Sequence, residues 1–343
     1  MTHFEREIFD QPRILTGLLR SDGILEAANA LKGRDVRFVS TVARGSSGNA
    51  ATFFAYLVSS VLGLPTGTVA PSLHSVHGVT PRANGGLAVG VSQSGRSEDV
   101  LLALRAYREG GAATLAVSND KESPLAAASD WHLAQGAGEE LAVAATKTFT
   151  TQMMALALLV AHWSESAELQ AALEAVPAAM SALLERHDDL AGPAVRLTHA
   201  TDLWVLARGL NYVSAAEAAL KVKETSYVET QTYSTAEVLH GPVAAIELNT
   251  PVLLFGLADA TRESNLVTAR RVRELGADLT VVSSDKELLG LATTAVPLPA
   301  GLHPATETFL HVLAGQLLAL RLVGERGYDP DAPRNLSKVT HTV

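Results

Sequence analysis

Two stretches rich in hydroxyl groups and glycine stand where an apolar run gives way to a helical pattern. Gly45-Ser46-Ser47-Gly48-Asn49 follows the run 36–42 and opens a helix predicted over 50–62. Ser92-Gln93-Ser94-Gly95-Arg96-Ser97-Glu98-Asp99 follows the run 87–91 and opens a helix from Val100. Glycine and small hydroxyl residues before a helix supply backbone N–H groups, O–H donors and the positive end of the helix dipole, which together suit a phosphate without any metal. The same residue types also serve as ordinary N-caps and turn formers. Two such loops at equivalent strand ends favour the ligand, because ligands of open α/β sheets bind beyond the carboxyl ends of strands.

A second constellation suits proton transfer. Glu217, Lys221 and Glu224 recur at i, i+4 and i+7, on one helix face. A solvated salt-bridge stripe has the same spacing. The setting favours chemistry, since the stripe follows a strand end and precedes a loop in which His240 stands before Gly241-Pro242. A histidine there can carry protons, although a surface-loop histidine is the commoner case. His74 and His77 share an i, i+3 spacing with no third ligand in view, so they are read as loop residues. No metal or cofactor is expected.

The elements that position these residues come from an internal repeat. Ala43-Arg44-Gly45 and Ala207-Arg208-Gly209 each close an apolar run, at an offset of about 165 residues. Arg108-Glu109-Gly110-Gly111-Ala112 and Arg273-Glu274-Leu275-Gly276-Ala277 each precede another at a similar offset. The strands read as near-continuous apolar runs, as expected when helices cover both faces. Each half therefore alternates strand and helix three times. The expected fold class is α/β, two tandem doubly wound parallel sheets in three αβα layers of flavodoxin-like order. The span 168–199 is helix-rich, with Pro177 and a break at Gly192-Pro193, which sets domains of 1–194 and 195–343. Residues 4–31 predict one or two helices, too short for a winged DNA-binding domain. The second repeat's counterpart of the serine loop, Leu257-Ala258-Asp259-Ala260-Thr261, carries an acid. Phosphate binding is therefore expected in the first half only.

Composition narrows the function classes. The 343 residues are 47% hydrophobic and 18% charged, which excludes a disordered chain. Lys and Arg number 27 against 36 Asp and Glu, a formal charge of −9 without a basic run, so no nucleic-acid partner is expected. There is no cysteine, which removes disulfides, thiolate zinc and cysteine nucleophiles. The first residues lack the apolar core of a signal peptide, so export is not expected. The apolar stretch 153–163 stops at about eleven residues where a membrane span needs roughly twenty. It reads as a buried helix of a cytoplasmic protein, with no membrane partner.

With these residues in view, the chain resembles the sugar isomerase (SIS) family in its double-domain form, the architecture of the isomerase half of glutamine-dependent glucosamine-6-phosphate synthases. The matching motifs are Glu7-Ile8-Phe9-Asp10-Gln11-Pro12, Ser92-Gln93-Ser94-Gly95, Val143-Ala144-Ala145-Thr146-Lys147-Thr148-Phe149-Thr150, Glu217 to Glu224, His240-Gly241-Pro242 and Pro333-Arg334-Asn335-Leu336-Ser337-Lys338. The resemblance implies a phosphosugar held by Ser46, Ser47, Ser92, Gln93, Ser94 and Ser97, with Val143 contributing backbone and Ser337 a further contact. It implies Glu224 as the base between C1 and C2, His240 as the ring-opening group donated across a homodimer interface, Lys338 as the tail lysine reaching the open-chain carbonyl, and Lys221 as a supporting charge. Aldose–ketose chemistry requires these group types: a proton-shuttling carboxylate and a cation beside the developing enolate oxygen.

There are departures. A glutaminase cysteine is missing, so glutamine is not the expected nitrogen source. Ala145 also replaces a substrate-binding serine. Ala70-Pro71-Ser72 and the ending Lys338-Val339-Thr340-His341-Thr342-Val343 look most like SIS-type glucosamine-6-phosphate deaminases. The expected reaction is glucosamine 6-phosphate to fructose 6-phosphate and ammonia, in amino-sugar catabolism. The alternatives are a tagatose-6-phosphate ketose/aldose isomerase type, a fructosamine-phosphate deglycase, or a non-catalytic phosphosugar sensor.

Overall fold

The computed structural model describes residues 1–338; positions 339–343 of the C-terminal motif lie outside the described residues. Three helices, α1 (His3–Phe9), α2 (Gln11–Leu18) and α3 (Asp22–Lys32), precede the first strand, one more than the sequence pattern suggests. Then follow β1 (Phe38–Ala43), α4 (Gly45–Leu57), β2 (Thr66–Thr68), α5 (Ser72–Ser75), β3 (Gly86–Val91), α6 (Glu98–Glu109), β4 (Ala113–Ser118), α7 (Pro124–Ala127) and β5 (Trp131–Ala134). Helices α8 (Lys147–Trp163), α9 (Ala167–Leu184) and α10 (Ala191–Arg196) lead to the second repeat. That repeat runs β6 (Asp202–Ala207), α11 (Tyr212–Ser226), β7 (Glu229–Ser234), β8 (Pro251–Gly256), α12 (Arg262–Glu274), β9 (Asp278–Ser283), α13 (Lys286–Gly290), β10 (Thr294–Pro297) and α14 (Pro304–Glu325).

Both sheets are wholly parallel, in the orders β2-β1-β3-β4-β5 and β7-β6-β8-β9-β10. This is one doubly wound topology, used twice. Central strands such as β3 are buried along their whole length, as a sheet covered on both faces requires. Each sheet has five strands where the apolar runs showed three, because the edge strands are short or polar. In β7, Glu229-Thr230-Gln231-Thr232-Tyr233-Ser234, no residue is fully buried.

Two local expectations are corrected. Gly192-Pro193 does not break a helix; it lies in the first turn of α10, where proline's fixed φ and missing N–H are tolerated. The interruption falls earlier, between α9 and the turn His187–Leu190, while Pro177 stays inside α9. The helix expected from Ala50 starts at Gly45.

The chain forms two compact units. One surrounds the first sheet and comprises Arg13–Glu140, Ala145–Glu174 and, of the described tail, Ser337 and Lys338; the other surrounds the second sheet and comprises Met1–Pro12, Leu141–Ala144 and Ala175–Leu336. In the first-sheet unit, α8 is buried continuously from Lys147 to Ala161. Among the described residues no helix is long and apolar enough to cross a membrane. In the second-sheet unit, α11 packs closely on α14: a Cβ on Gly315 would stand 2.7 Å from the Cβ of Ala218, so only glycine permits this approach.

Candidate functional site

In the first-sheet unit the strand order reverses between β1 and β3, so the loops that follow them diverge and leave a crevice at their carboxyl ends. Both hydroxyl-rich stretches lie there. Ser46 and Ser47 belong to the first turn of α4, whose N–H groups include those without helical acceptors. The Ser47 hydroxyl accepts a hydrogen bond from Gln152 Nε2 on α8 at 3.0 Å, a role that leaves its proton to donate. Ser92 Oγ accepts from Gly95 N and Ser94 Oγ from Arg96 N, each at 3.2 Å. The turn-forming role left open by the sequence is therefore real, and it coexists with a donor proton on each serine. Gln93 and Ser94 are half-buried. Gly95 has φ +64°, and a Cβ there would stand 2.2 Å from Ser123 Oγ, so the loop's path depends on glycine.

An ion pair invisible in the sequence ties the two loops together. Arg44, after β1, donates to Asp99 in the first turn of α6, with Nε at 2.8 Å and Nη2 at 2.7 Å, while Ser97 Oγ donates to the same carboxylate at 3.0 Å. Burial works to raise the Asp99 pKa, but the Arg44 and Ser97 hydrogen bonds, the Arg44 charge and the Val100 amide outweigh it, leaving the carboxyl below its ordinary value.

Glu140 is a second residue that sequence reasoning missed. Its fully buried carboxylate accepts from Thr146 N at 2.9 Å, Thr148 N at 3.0 Å and Thr148 Oγ1 at 2.6 Å, and so caps the N-terminus of α8. It also receives Lys338 Nζ at 2.7 Å. Burial pushes its pKa up, yet the Lys338 charge and hydrogen bond with the threonine donors carry it below the ordinary glutamate value. The predicted tail lysine is thus held by a carboxylate 198 residues away in sequence. Ser337 is exposed beside it.

In the second-sheet unit the Glu-Lys-Glu stripe is not a solvated face. Lys221 is fully buried, its Nζ 2.6 Å from Glu224 Oε2 and 3.5 Å from Glu217 Oε1. Glu217 is buried as well, while the Glu224 side chain keeps 24% exposure. The arrangement presents one accessible carboxylate backed by a buried cation. Tyr227, left-handed at φ 56°, ends α11, and its hydroxyl accepts from Arg334 N at 2.9 Å while the Arg334 guanidinium lies 4.7 Å from its ring centre. This clasp anchors the tail to the helix bearing Glu224. His240 is exposed at the end of the turn Glu237–His240. Val143 is half-buried in the short segment Leu141–Ala144.

The second sheet's own switch point has the opposite electrostatics. Asp259 caps Thr261 there through its N at 2.8 Å and its Oγ1 at 2.6 Å. Buried Glu307 is held above the ordinary carboxyl range by burial and by the nearby charges of Asp259 and Asp285, against the Ser284 donors. An anion is disfavoured at that place.

Comparison with known proteins agrees with this architecture. The family model described as "SIS domain" matches residues 34–162 and 196–320. Glutamine–fructose-6-phosphate aminotransferase (isomerizing) of Aquifex aeolicus is 34% identical over 339 residues, covering 97% of this chain and 56% of that protein. The chain spans little more than half the length of the curated relatives it matches. The structure of a candidate phosphosugar isomerase from Silicibacter pomeroyi superposes with a TM-score of 0.87 at 35% identity, covering 96% of this chain and 100% of that one. The C-terminal domain of glucosamine-fructose-6-phosphate aminotransferase from Francisella tularensis gives 0.86 at 25% identity, covering 97% and 98%. Two matched segments, each on its own doubly wound sheet, make this chain a member of the SIS domain family.

Proposed function

We propose that the protein is a phosphosugar aldose–ketose isomerase and that its reaction is the deamination of glucosamine 6-phosphate to fructose 6-phosphate and ammonia. The observation that carries the reading is the part-exposed Glu224 carboxylate held by buried Lys221 on α11 of an SIS chain. The hydroxyls of Ser46, Ser47, Ser92 and Ser94 and the amide donors of Gln93 and Ser97 bind the phosphate, with Ser337 and the Val143 backbone as further contacts. His240, contributed by a second copy of the chain, transfers the protons of ring opening. Glu224 removes the proton on C2 of the open-chain aldehyde and returns it to C1. The electron pair passes through an enediol-like amine to a C2 imine, which water hydrolyses to the ketone and ammonia. The Lys338 ammonium, delivered by the tail, stabilises the developing oxyanion at C1. A cytoplasmic setting belongs to the same proposal.

The named activities of relatives support the substrate class, a hexose 6-phosphate interconverted between amine-bearing and keto forms. The test supplies glucosamine 6-phosphate and follows ammonia and fructose 6-phosphate, with Glu224→Gln as control. Release by the wild type, lost in the variant, is expected. Turnover of a ketose phosphate alone would point to an isomerase of the tagatose 6-phosphate kind. Binding without turnover of any phosphosugar would make the chain a sensor.

A further inference from the structure

Glu7 lies on α1 with its carboxylate buried, and it has no assigned part in the reaction. It accepts hydrogen bonds from two consecutive backbone amides, Leu141 N at 2.6 Å and Ala142 N at 3.2 Å. These amides belong to an irregular segment between β5 and α8, so no strand or helix ladder satisfies them. The side chains of this segment are all apolar and cannot satisfy these amides: Ala142 and Ala144 are buried, Leu141 is half exposed and Val143 half-buried. Its backbone is instead set by a charged acceptor on α1.

Helix α1 is itself a fixed bracket. The Asp331 carboxylate accepts from His3 N at 2.6 Å and Phe4 N at 2.9 Å, capping its first turn. Just beyond its other end, Gln11 Nε2 donates to Gln316 Oε1 on α14 at 2.6 Å and to Ile8 O at 3.1 Å. A buried carboxylate on a doubly pinned helix therefore holds the two amides that immediately precede Val143.

We infer that Glu7 is a positioning residue, whose carboxylate holds the Leu141–Ala144 backbone in the conformation that presents Val143 to the phosphosugar. The inference rests on the assignment of Val143 to the substrate made above. Glu7 touches no reacting atom. Its loss should weaken sugar-phosphate binding and leave proton transfer by Glu224 intact.

The test compares wild type with Glu7→Gln, which keeps the volume and one acceptor but loses the charge, and with Glu7→Ala. Three quantities are read: hydrogen exchange of the 141–144 amides, the unfolding midpoint, and KM against kcat with glucosamine 6-phosphate. In Glu7→Gln faster exchange at 141–142 is expected, with KM raised roughly tenfold and kcat within about twofold. Glu7→Ala should exceed it. Should Glu7→Gln not fold, Asp331→Asn loosens the same bracket from its far end and should raise KM by a smaller factor with kcat unchanged. Faster exchange with unchanged KM, or kcat and KM moving together with a collapsed midpoint, would reduce Glu7 to a structural cap and overturn the inference. If the wild type binds fructose 6-phosphate calorimetrically without turnover, the deaminase reading fails and the ratio of affinities between wild type and variant decides on Glu7 alone. No phosphosugar binding by the wild type would overturn both.

Discussion

Replacing Lys221 by methionine tests the reasoning about α11 most directly. Methionine keeps the unbranched shape and removes the charge. At an effective dielectric of about 20, the contacts at 2.6 Å to Glu224 and 3.5 Å to Glu217 correspond to gross attractions of roughly 6 and 5 kcal/mol. Desolvation of a fully buried ammonium offsets most of this, and the partial exposure of Glu224 screens its share further. The net effect is set by what remains: two carboxylates on one face, one of them buried, with their cation gone. Breaking a buried pair in this way costs about 3 to 5 kcal/mol.

The pH dependence gives the sign. In the variant, Glu217 is pushed to take up a proton, so its folded pKa rises above its unfolded value of about 4.3. Between those two values the native state binds more protons than the unfolded one, and stability falls as pH rises. Urea unfolding at pH 5.5 and pH 8.0 should therefore show a deficit against wild type that is larger at pH 8.0. The double variant Glu217→Gln/Lys221→Met should recover a substantial part of it. A deficit below about 1 kcal/mol, or one of equal size at both pH values, would refute the view of Lys221 as a buried counter-ion. Activity supplies a separate readout: kcat should fall, since the Glu224 carboxylate loses the ammonium that holds it in place.

Gly95→Ala forces a left-handed alanine whose Cβ collides with Ser123, so a stability loss of roughly 2 to 5 kcal/mol and weakened phosphosugar binding are expected; a neutral variant in urea unfolding and calorimetry would place the loop elsewhere. The folded pKa of Glu140 lies below its unfolded one, so its contribution is complete above the ordinary glutamate pKa and fades as pH falls through the folded value. The difference in urea midpoint between wild type and Glu140→Gln should accordingly be large at pH 7 and shrink below about pH 4, whereas a constant difference would deny Glu140 its charge. Mixing Glu224→Gln with His240→Ala should restore about a quarter of wild-type turnover if His240 acts across a dimer interface, through mixed dimers with one intact site; no recovery after subunit exchange would confine both groups to one chain.

Local pattern carried much of this molecule. Apolar runs ending in glycine identify the central strands, because a strand buried on both faces has few polar positions, and the repeat offset shows the fold is used twice. The hydroxyl loops were legible because β1 and β3 each hand directly over to a helix, so that a few adjacent residues build the whole feature. The spacing of Glu217, Lys221 and Glu224 likewise places them on one face without tertiary information.

Whether that face was solvated or buried could not be read from spacing; it was decided by the packing of α11 on α14, which leaves Lys221 fully buried and Glu224 partly open. The polar edge strand β7 escaped notice because an edge needs no continuous apolar run. Glu140 with Lys338, Arg44 with Asp99, and Glu7 with the Leu141–Ala142 amides join residues 198, 55 and up to 135 positions apart. Sequence alone determined the central strands, the helices that follow them and most of the side chains that could do chemistry, since those depend on periodicity and near neighbours. Only the tertiary structure decided which buried charge meets which partner, because an ion pair across the fold leaves no periodic trace in the chain.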